Sequence, residues 1–166
     1  MNHKINKHIN PKGEHYMKLA EALQERADLN RQIEQLKIRL SNNAIVQEGE
    51  TPAEDPKLLL SELNNSIAKL EELIGRINLT NCATVVDGKT LTELIAKKDC
   101  LSVKVSTYQN FVNQASQTAR RATRTEIKIL STVDVKDLQK QIDKLSKELR
   151  LVDNKIQETN WTTELK

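Results

Sequence analysis

Aromatic residues are scarce in this 166-residue sequence, at 2% of the chain: Tyr16, Tyr108, Phe111 and Trp161. With so few rings available, a core has to be filled by Leu, Ile and Val, which helical bundles permit. The shortage also disfavours nucleic-acid binding, because single-stranded nucleic acids are held largely by stacking on aromatic side chains.

Histidine is absent beyond residue 15, since His3, His8 and His15 all lie near the start. This excludes a histidine general base, Ser–His–Asp and Cys–His arrangements and histidine metal sites from the rest of the chain. The four glycines form no phosphate-binding loop, which argues against P-loop and Rossmann nucleotide sites. We therefore predict a protein that is not an enzyme, needs no cofactor and has no implied small-molecule substrate.

Long apolar runs are also missing, since no run approaches the ~18–20 residues that a membrane span needs. The first residues hold lysines but no apolar core of a secretory signal. Basic and acidic residues are interspersed, with a net charge of +3, and Cys82 and Cys100 form no CxxC pair. We interpret the cysteines as reduced, partly buried thiols and predict a cytoplasmic protein with no membrane span.

Apolar residues recur at alternating spacings of three and four in four stretches, as in helices packed along heptad seams. We predict helices over about 17–40, 57–81 and 91–118, and a fourth that begins after Asp134. Asp87-Gly88 predicts a tight turn before the third helix, and Thr90 with Glu93 predicts a capping box at its start. The predicted seam residues are Leu19, Ala22, Arg26, Leu29, Ile33, Leu36 and Leu40; then Leu60, Leu63, Ile67, Leu70, Ile74 and Ile77; then Leu94, Leu101, Val105, Tyr108, Val112 and Ala115, with Lys98 interrupting; and finally Val135, Leu138, Ile142, Leu145, Leu149, Val152 and Ile156.

The predicted fold is mainly α: an elongated antiparallel bundle of about four long amphipathic helices. Residues 17–166 are expected to form a single domain, preceded by a flexible extension over residues 1–16. Narrow seams in a small chain leave apolar surface uncovered, so we expect a homo-oligomer.

Two segments between the predicted helices carry further signals. The second helix has two overlapping start signals: Thr51 with Glu54, and Asp55 before Pro56. The segments Ile45–Glu48 and Thr125–Ser131 resemble strands and are predicted to pair as a small two-stranded ribbon.

Six residues are candidates for interactions. Arg120, Arg121 and Arg124 form the only basic cluster, either pairing with the acidic loop that holds Glu48 and Glu50, across the ribbon or between subunits, or binding phosphate groups. That loop also holds Glu54 and Asp55, and it either caps the helix as a solvated segment or binds a cation. Trp161 is interpreted as a lid packed on the bundle, with a ligand platform as the alternative.

Several stretches resemble a family of short bacterial helical proteins of unknown function, whose members are often labelled septicolysin. The resemblance covers nearly everything from Met17 onward and includes loops as well as helices. It is carried by MKLAEALQERADLNRQIEQLKIRL at Met17–Leu40, VQEGETPAEDP at Val46–Pro56, RINLTNCAT at Arg76–Thr84, DGKTLTELIAKKD at Asp87–Asp99, TEIKILSTVDVKDLQKQID at Thr125–Asp143 and IQETNWTTEL at Ile156–Leu165.

Three functional hypotheses follow. The heptad seams favour a non-enzymatic, self-associating structural or interaction protein. The septicolysin label implies a pore-forming cytolysin. The arginine cluster implies a weak binder of nucleic acid or phosphate.

Overall fold

The computed structural model describes residues 16–117 and 130–166. It contains four helices and two short strands: α1 (Leu19–Asn42), α2 (Pro56–Ala83), β1 (Val85–Val86), β2 (Lys89–Thr90), α3 (Leu91–Ala115) and α4 (Val135–Thr162). The mainly α fold class and the four long helices are therefore as predicted. The N-terminal extension, up to residue 15, lies outside the described residues.

The helix starts follow from local capping chemistry. The Asp55 side chain accepts a hydrogen bond from the Lys57 N–H at 2.8 Å, and Pro56 is the first helical residue, so the second of the two candidate starts is used. At α3, the Glu93 N–H donates to the Thr90 hydroxyl at 3.2 Å while the Thr90 N–H donates to the Glu93 carboxylate at 2.6 Å. This is the predicted capping box.

The described residues form two compact units, one made of residues 16–85 with 159–166 and the other lying within 86–158. In the first unit, α1 and α2 pack against each other as an antiparallel hairpin. Arg39 near the end of α1 pairs with Glu54 in the loop before α2 and with Glu62 in the second turn of α2, so the two helices run in opposite directions. The predicted α1 seam is confirmed: its apolar members are buried or half-buried, and Arg26 is half-buried among them.

The predicted seam of α2 is wrong at three places, where the residue just before the predicted one is buried instead. The residues that turn inward are Leu59, Leu63, Ser66, Leu70, Leu73, Ile77 and Thr80. Ser66 and Thr80 tolerate burial because their hydroxyls donate to the Glu62 and Arg76 carbonyls of the preceding turn, at 2.9 and 2.8 Å. Leu60, Ile67 and Ile74, which were expected in the seam, stay partly exposed.

In the second unit, α3 and α4 run antiparallel, because Asp87 just before α3 pairs with Lys155 near the end of α4, whereas Lys97 within α3 pairs with an earlier α4 residue. Ion pairs join the two helices. Lys97 lies 2.6 Å from Glu148, and Lys98 lies 3.2 Å from Asp153. The predicted seams of both helices are confirmed, since their apolar residues are buried or half-buried. Lys98, which interrupts the α3 seam, is partly exposed and pairs with Asp153 of α4.

The two-stranded ribbon exists, but it lies at residues 85–90 instead of the predicted place. Residues 45–47 are in coil and residues 48–49 in a turn, while residues 125–129 of the predicted partner lie outside the described ranges. The observed turn is Asp87-Gly88, with φ of 52° and 78°. Two consecutive positive φ values are what a two-residue hairpin turn requires, because they match the twist of the strands.

Candidate functional site

An exposed row of large aliphatic residues runs along α2. Leu60, Ile67 and Ile74 are 48%, 45% and 38% exposed, and they repeat every seven residues, so they share one face. We call this row the α2 stripe. It borders the buried α1–α2 seam and widens the apolar face of the helix beyond what α1 covers.

A row of small residues accompanies the stripe. Ser61, Ala68 and Gly75 each follow a stripe residue directly, and all three are exposed. A Cβ placed on Gly75 would meet no heavy atom within 4 Å, so no close packing within the described chain requires the glycine. Glycine within a helix costs about 1 kcal/mol relative to alanine. Beside the stripe, it leaves room for another backbone to approach.

A second apolar row lies on the outer side of α3, opposite its seam. It consists of Ala96, Cys100, Val103 and Phe111, of which Val103 is 66% and Phe111 46% exposed. α3 is therefore apolar on two faces. Both cysteines carry thiols and are exposed, so the expectation that they are partly buried is wrong.

The acidic loop is bound to α1 by Arg39, a residue that was not among the predicted interaction candidates. The Arg39 Nε donates to both carboxylate oxygens of Glu54 at 3.1 Å, and Arg39 Nη1 lies 3.8 Å from Glu62. The Arg39 hydrogen bond holds the pKa of Glu54 below its ordinary value, and Glu54 in turn raises the pKa of Arg39. Asn43 adds a second tie, because its side chain accepts from the Glu54 N–H at 2.9 Å.

The remaining acidic candidates stand apart from this tie. Glu48 and Glu50 are exposed in the loop. Across the described ranges, no three His, Cys, Asp or Glu side chains come together as a metal site. Glu54 forms its ion pair with Arg39. The predicted pairing of the acidic loop with Arg120, Arg121 and Arg124 involves residues outside the described ranges and stays a prediction.

The other candidate residues have mixed outcomes. Trp161 is 62% exposed, so its interpretation as a packed lid is wrong. Its neighbours Thr159 and Asn160 are the buried residues of that turn, at 7% and 6% exposed. Arg120, Arg121 and Arg124 lie outside the described residues, and their role stays a prediction.

A shallow groove of about 400 Å³ runs between α3 and α4 in the second unit. It is lined by Lys98, Ser102, Ser146, Leu149, Arg150 and Asp153. Because Asp153 already pairs with Lys98, the groove presents few unsatisfied charges. No helix within the described ranges is long and apolar enough to cross a membrane.

A solved structure shares the fold of this chain. The chain is similar to the crystal structure of a functionally unknown conserved protein from Corynebacterium diphtheriae, with 37% identity and a TM-score of 0.86 over 92% of this chain and 100% of that chain. No curated protein matches. The septicolysin label suggested by the resemblance stays a prediction. Residues 26–165 match the model of a family of unknown function, DUF6847, and the chain belongs to that family.

Proposed function

We propose that this chain is a non-enzymatic structural or interaction protein that self-associates through the α2 stripe. The observation that carries the proposal is the row of Leu60, Ile67 and Ile74, which are partly exposed at seven-residue intervals. Apolar rows with this period pack against another helix with the same period. A second copy of the chain supplies such a helix.

The row of small residues makes α2 complementary to itself. An antiparallel two-fold axis between residues 67 and 68 sets each large residue against a small one of the second copy. Leu60 then faces Gly75, Ile67 faces Ala68 and Ile74 faces Ser61. A two-fold interface needs such a self-complementary surface, because the same patch serves both partners.

The charges beside the stripe agree with the same axis. Glu71 and Lys57 are the charged residues that flank the stripe on the side of the small residues, and both are exposed. The axis sets Glu71 against Asn64 and Lys57 against Asn78 of the second copy. Like charges therefore do not meet, and each charge faces an amide that can form a hydrogen bond with it.

We further propose that the protein works in the cytoplasm. Two exposed thiols suit a reducing compartment, where they persist without oxidation. Interspersed surface charges keep such a protein soluble.

Light scattering on the purified full chain tests the self-association. We expect a mass of two chains of 18.9 kDa. Replacing Leu60, Ile67 and Ile74 together by serine should return the mass to one chain, because apolar burial is the driving force.

The matched control replaces three exposed aliphatic residues away from the stripe by serine. Ile38, Leu58 and Leu151 are 62%, 70% and 57% exposed, so this variant loses comparable apolar surface. It should keep the dimer mass. A wild-type mass of one chain, or a serine variant that stays dimeric, would contradict the proposal. A Gly75→Leu variant that dimerises normally would contradict the axis.

A further inference from the structure

The last four residues of the sequence, which we call the C-terminal strap (Thr163–Lys166), bind the first unit through their backbone. The Leu19 N–H donates to the Thr163 carbonyl at 2.9 Å, and the Leu165 N–H donates to the Met17 carbonyl at 2.8 Å. Lys18 and Glu164 form an antiparallel bridge between these two bonds. The strap therefore adds an extended segment to residues 17–19, as peptides do when they bind along a strand edge.

The other side of the strap is held by α2. The Arg76 Nε donates to the Lys166 carbonyl at 2.9 Å, and the Lys166 N–H donates to the Thr80 hydroxyl at 3.0 Å. Thr80 is fully buried, and its hydroxyl also donates to the Arg76 carbonyl. The strap therefore lies between the start of α1 and the end of α2.

Side chains add an apolar anchor and a charge contact. Leu165 is 8% exposed, although its neighbours Glu164 and Lys166 are exposed. The Lys18 ammonium lies 3.3 Å from the Glu164 carboxylate and also donates to the Thr162 carbonyl at 3.3 Å. Each strap residue is thus recognised by at least one group: a backbone bond at Thr163, an ion pair at Glu164, burial of Leu165 and two hydrogen bonds at Lys166.

We propose that this groove is a peptide-binding site occupied by the chain's own strap, and that it also takes the strap of a second copy. The inference builds on the proposed self-association and gives it a second contact. The recognised groups belong to residues 163–166, which follow the end of α4, and one further contact is made at the Thr162 carbonyl. An identical segment from another copy makes identical contacts, so exchange loses none of them.

Competition from the chain's own strap controls the exchange. A tethered segment has an effective concentration in the millimolar range, which keeps the groove occupied in dilute wild-type protein. Weakening the resident strap frees the groove for a strap in trans. Leu165 is the residue to change, because its side chain supplies the apolar burial.

The test is a fluorescence anisotropy titration of the full-length Leu165→Asp chain with a labelled peptide, TNWTTELK, that copies residues 159–166. The variant should bind the peptide at least roughly tenfold more tightly than the wild type, whose groove is filled by its tethered strap. A peptide with aspartate in place of the leucine should compete at least roughly tenfold less well than the unlabelled original, because it lacks the buried anchor. Adding Arg76→Glu to the variant should also weaken binding.

Circular dichroism checks that the helices persist, and the milder Leu165→Ala chain repeats the titration if Leu165→Asp unfolds. No binding to either folded variant, or equal competition by the aspartate peptide, would overturn the site. Displacement of the bound peptide by full-length Arg76→Glu chain, whose own strap is loosened, identifies a second copy as the donor. Failure of that chain to displace it would overturn the exchange.

The α2 stripe is kept out of the measurement. All chains in the titration carry the Leu60, Ile67 and Ile74 replacements by serine, so the signal comes from the strap alone. A monomeric wild-type chain would then contradict self-association through the α2 stripe, whereas the peptide titration would still test the strap site independently.

Discussion

The α1–α2 hairpin and the α3–α4 pair share one sequence pattern but are held together differently. In α1, Leu19, Ala22 and Leu36 are at most 1% exposed, and in α2, Ile77 is 1% exposed. In α4, only Ile142 and Ile156 of the seven predicted seam residues are buried, and the other five are half-exposed. Lys97–Glu148 and Lys98–Asp153 flank that looser seam.

The difference shows that a heptad pattern predicts which residues of two helices face each other. It does not predict how completely those residues are buried. Apolar burial contributes roughly 25 cal/mol per Å² and is insensitive to salt, whereas exposed ion pairs contribute about 0–1 kcal/mol each and are screened. The two regions should therefore respond differently to mutation, salt and acid.

The largest expected effect is a cavity in the better-buried seam. Leu36→Ala should lower the free energy of unfolding by about 2–5 kcal/mol, because Leu36 is 1% exposed and its neighbours cannot fully close the space. Leu149→Ala in the half-exposed α4 seam should cost about half as much, since less surface leaves water there. Urea titration followed by circular dichroism measures both.

The control for these two variants is Leu151→Ala, because Leu151 on α4 is 57% exposed. This change should alter the free energy of unfolding by no more than about 0.5 kcal/mol. Equal losses for Leu36→Ala and Leu149→Ala would remove the distinction between the two seams.

Salt should act next, and mainly on the second unit. At about 1 M NaCl the screening length falls to about 3 Å, which weakens Lys97–Glu148 and Lys98–Asp153. We expect amide hydrogens of α3 and α4 to exchange faster. Those of α1 and α2 should change less, because their better-buried apolar seam protects them even when the Arg39 ion pairs are screened. Hydrogen exchange followed by mass spectrometry resolves the helices; uniform acceleration would contradict the comparison.

Acid should have the smallest effect, and it should act through three glutamates in the two units. Hydrogen bonds from the Thr90 N–H and hydroxyl lower the pKa of Glu93 in the second unit. Hydrogen bonds from Arg39 and Lys97 lower the pKa of Glu54 and of Glu148 respectively. A carboxylate with a lowered folded-state pKa contributes stability that is present above its unfolded-state pKa, about 4.3, and is lost as the pH falls through the folded value. Thermal unfolding midpoints should therefore drop below about pH 4.3.

Single variants separate the contributions of Glu54 and Glu148. Glu54→Gln and Glu148→Gln should each flatten the acid-induced drop in the melting midpoint, because amides do not titrate in this range. Their effects should add, since they lie in separate units. A wild-type midpoint that stays constant from pH 6 to about pH 3 would contradict all three assignments.

Much of the fold was predictable because its signals are local. The capping pair of Thr90 and Glu93 and the Asp87-Gly88 turn depend on neighbouring residues alone, and both appear where expected. The seams of α1 and α4 were predictable because each of these helices carries one dominant apolar register. The α3 seam was predictable because its larger aliphatic residues recur in one register, although a second apolar row lies on the outer side of the helix.

α2 is the helix on which sequence reasoning failed, for an identifiable reason. It carries two overlapping registers, since large residues stand side by side at Leu59-Leu60 and Leu73-Ile74. The more apolar register contains Ile67, whereas the one that α1 covers contains Ser66. Helical periodicity alone favours the former, and the hydrogen-bonded serine removes the expected penalty for the latter.

The candidate site was accordingly predicted only in outline. The expectation that apolar surface would remain for self-association led towards the α2 stripe, but those residues had been assigned to the interior. The docking of the C-terminal strap was not predicted, because no local sequence pattern indicates it. Its one sequence signal is the isolated Leu165, and its partners Arg76 and Thr80 lie far away in the chain.

The sequence by itself determined the four helices, the caps at the starts of α3 and α4 and three of the four seams, because hydrogen bonds within a turn and apolar spacing along one helix need no partner. The tertiary structure alone decided which register of α2 faces inward, which seam is better buried and where residues 163–166 dock. These depend on how closely two separate segments approach, and the free energy of that contact belongs to both segments together.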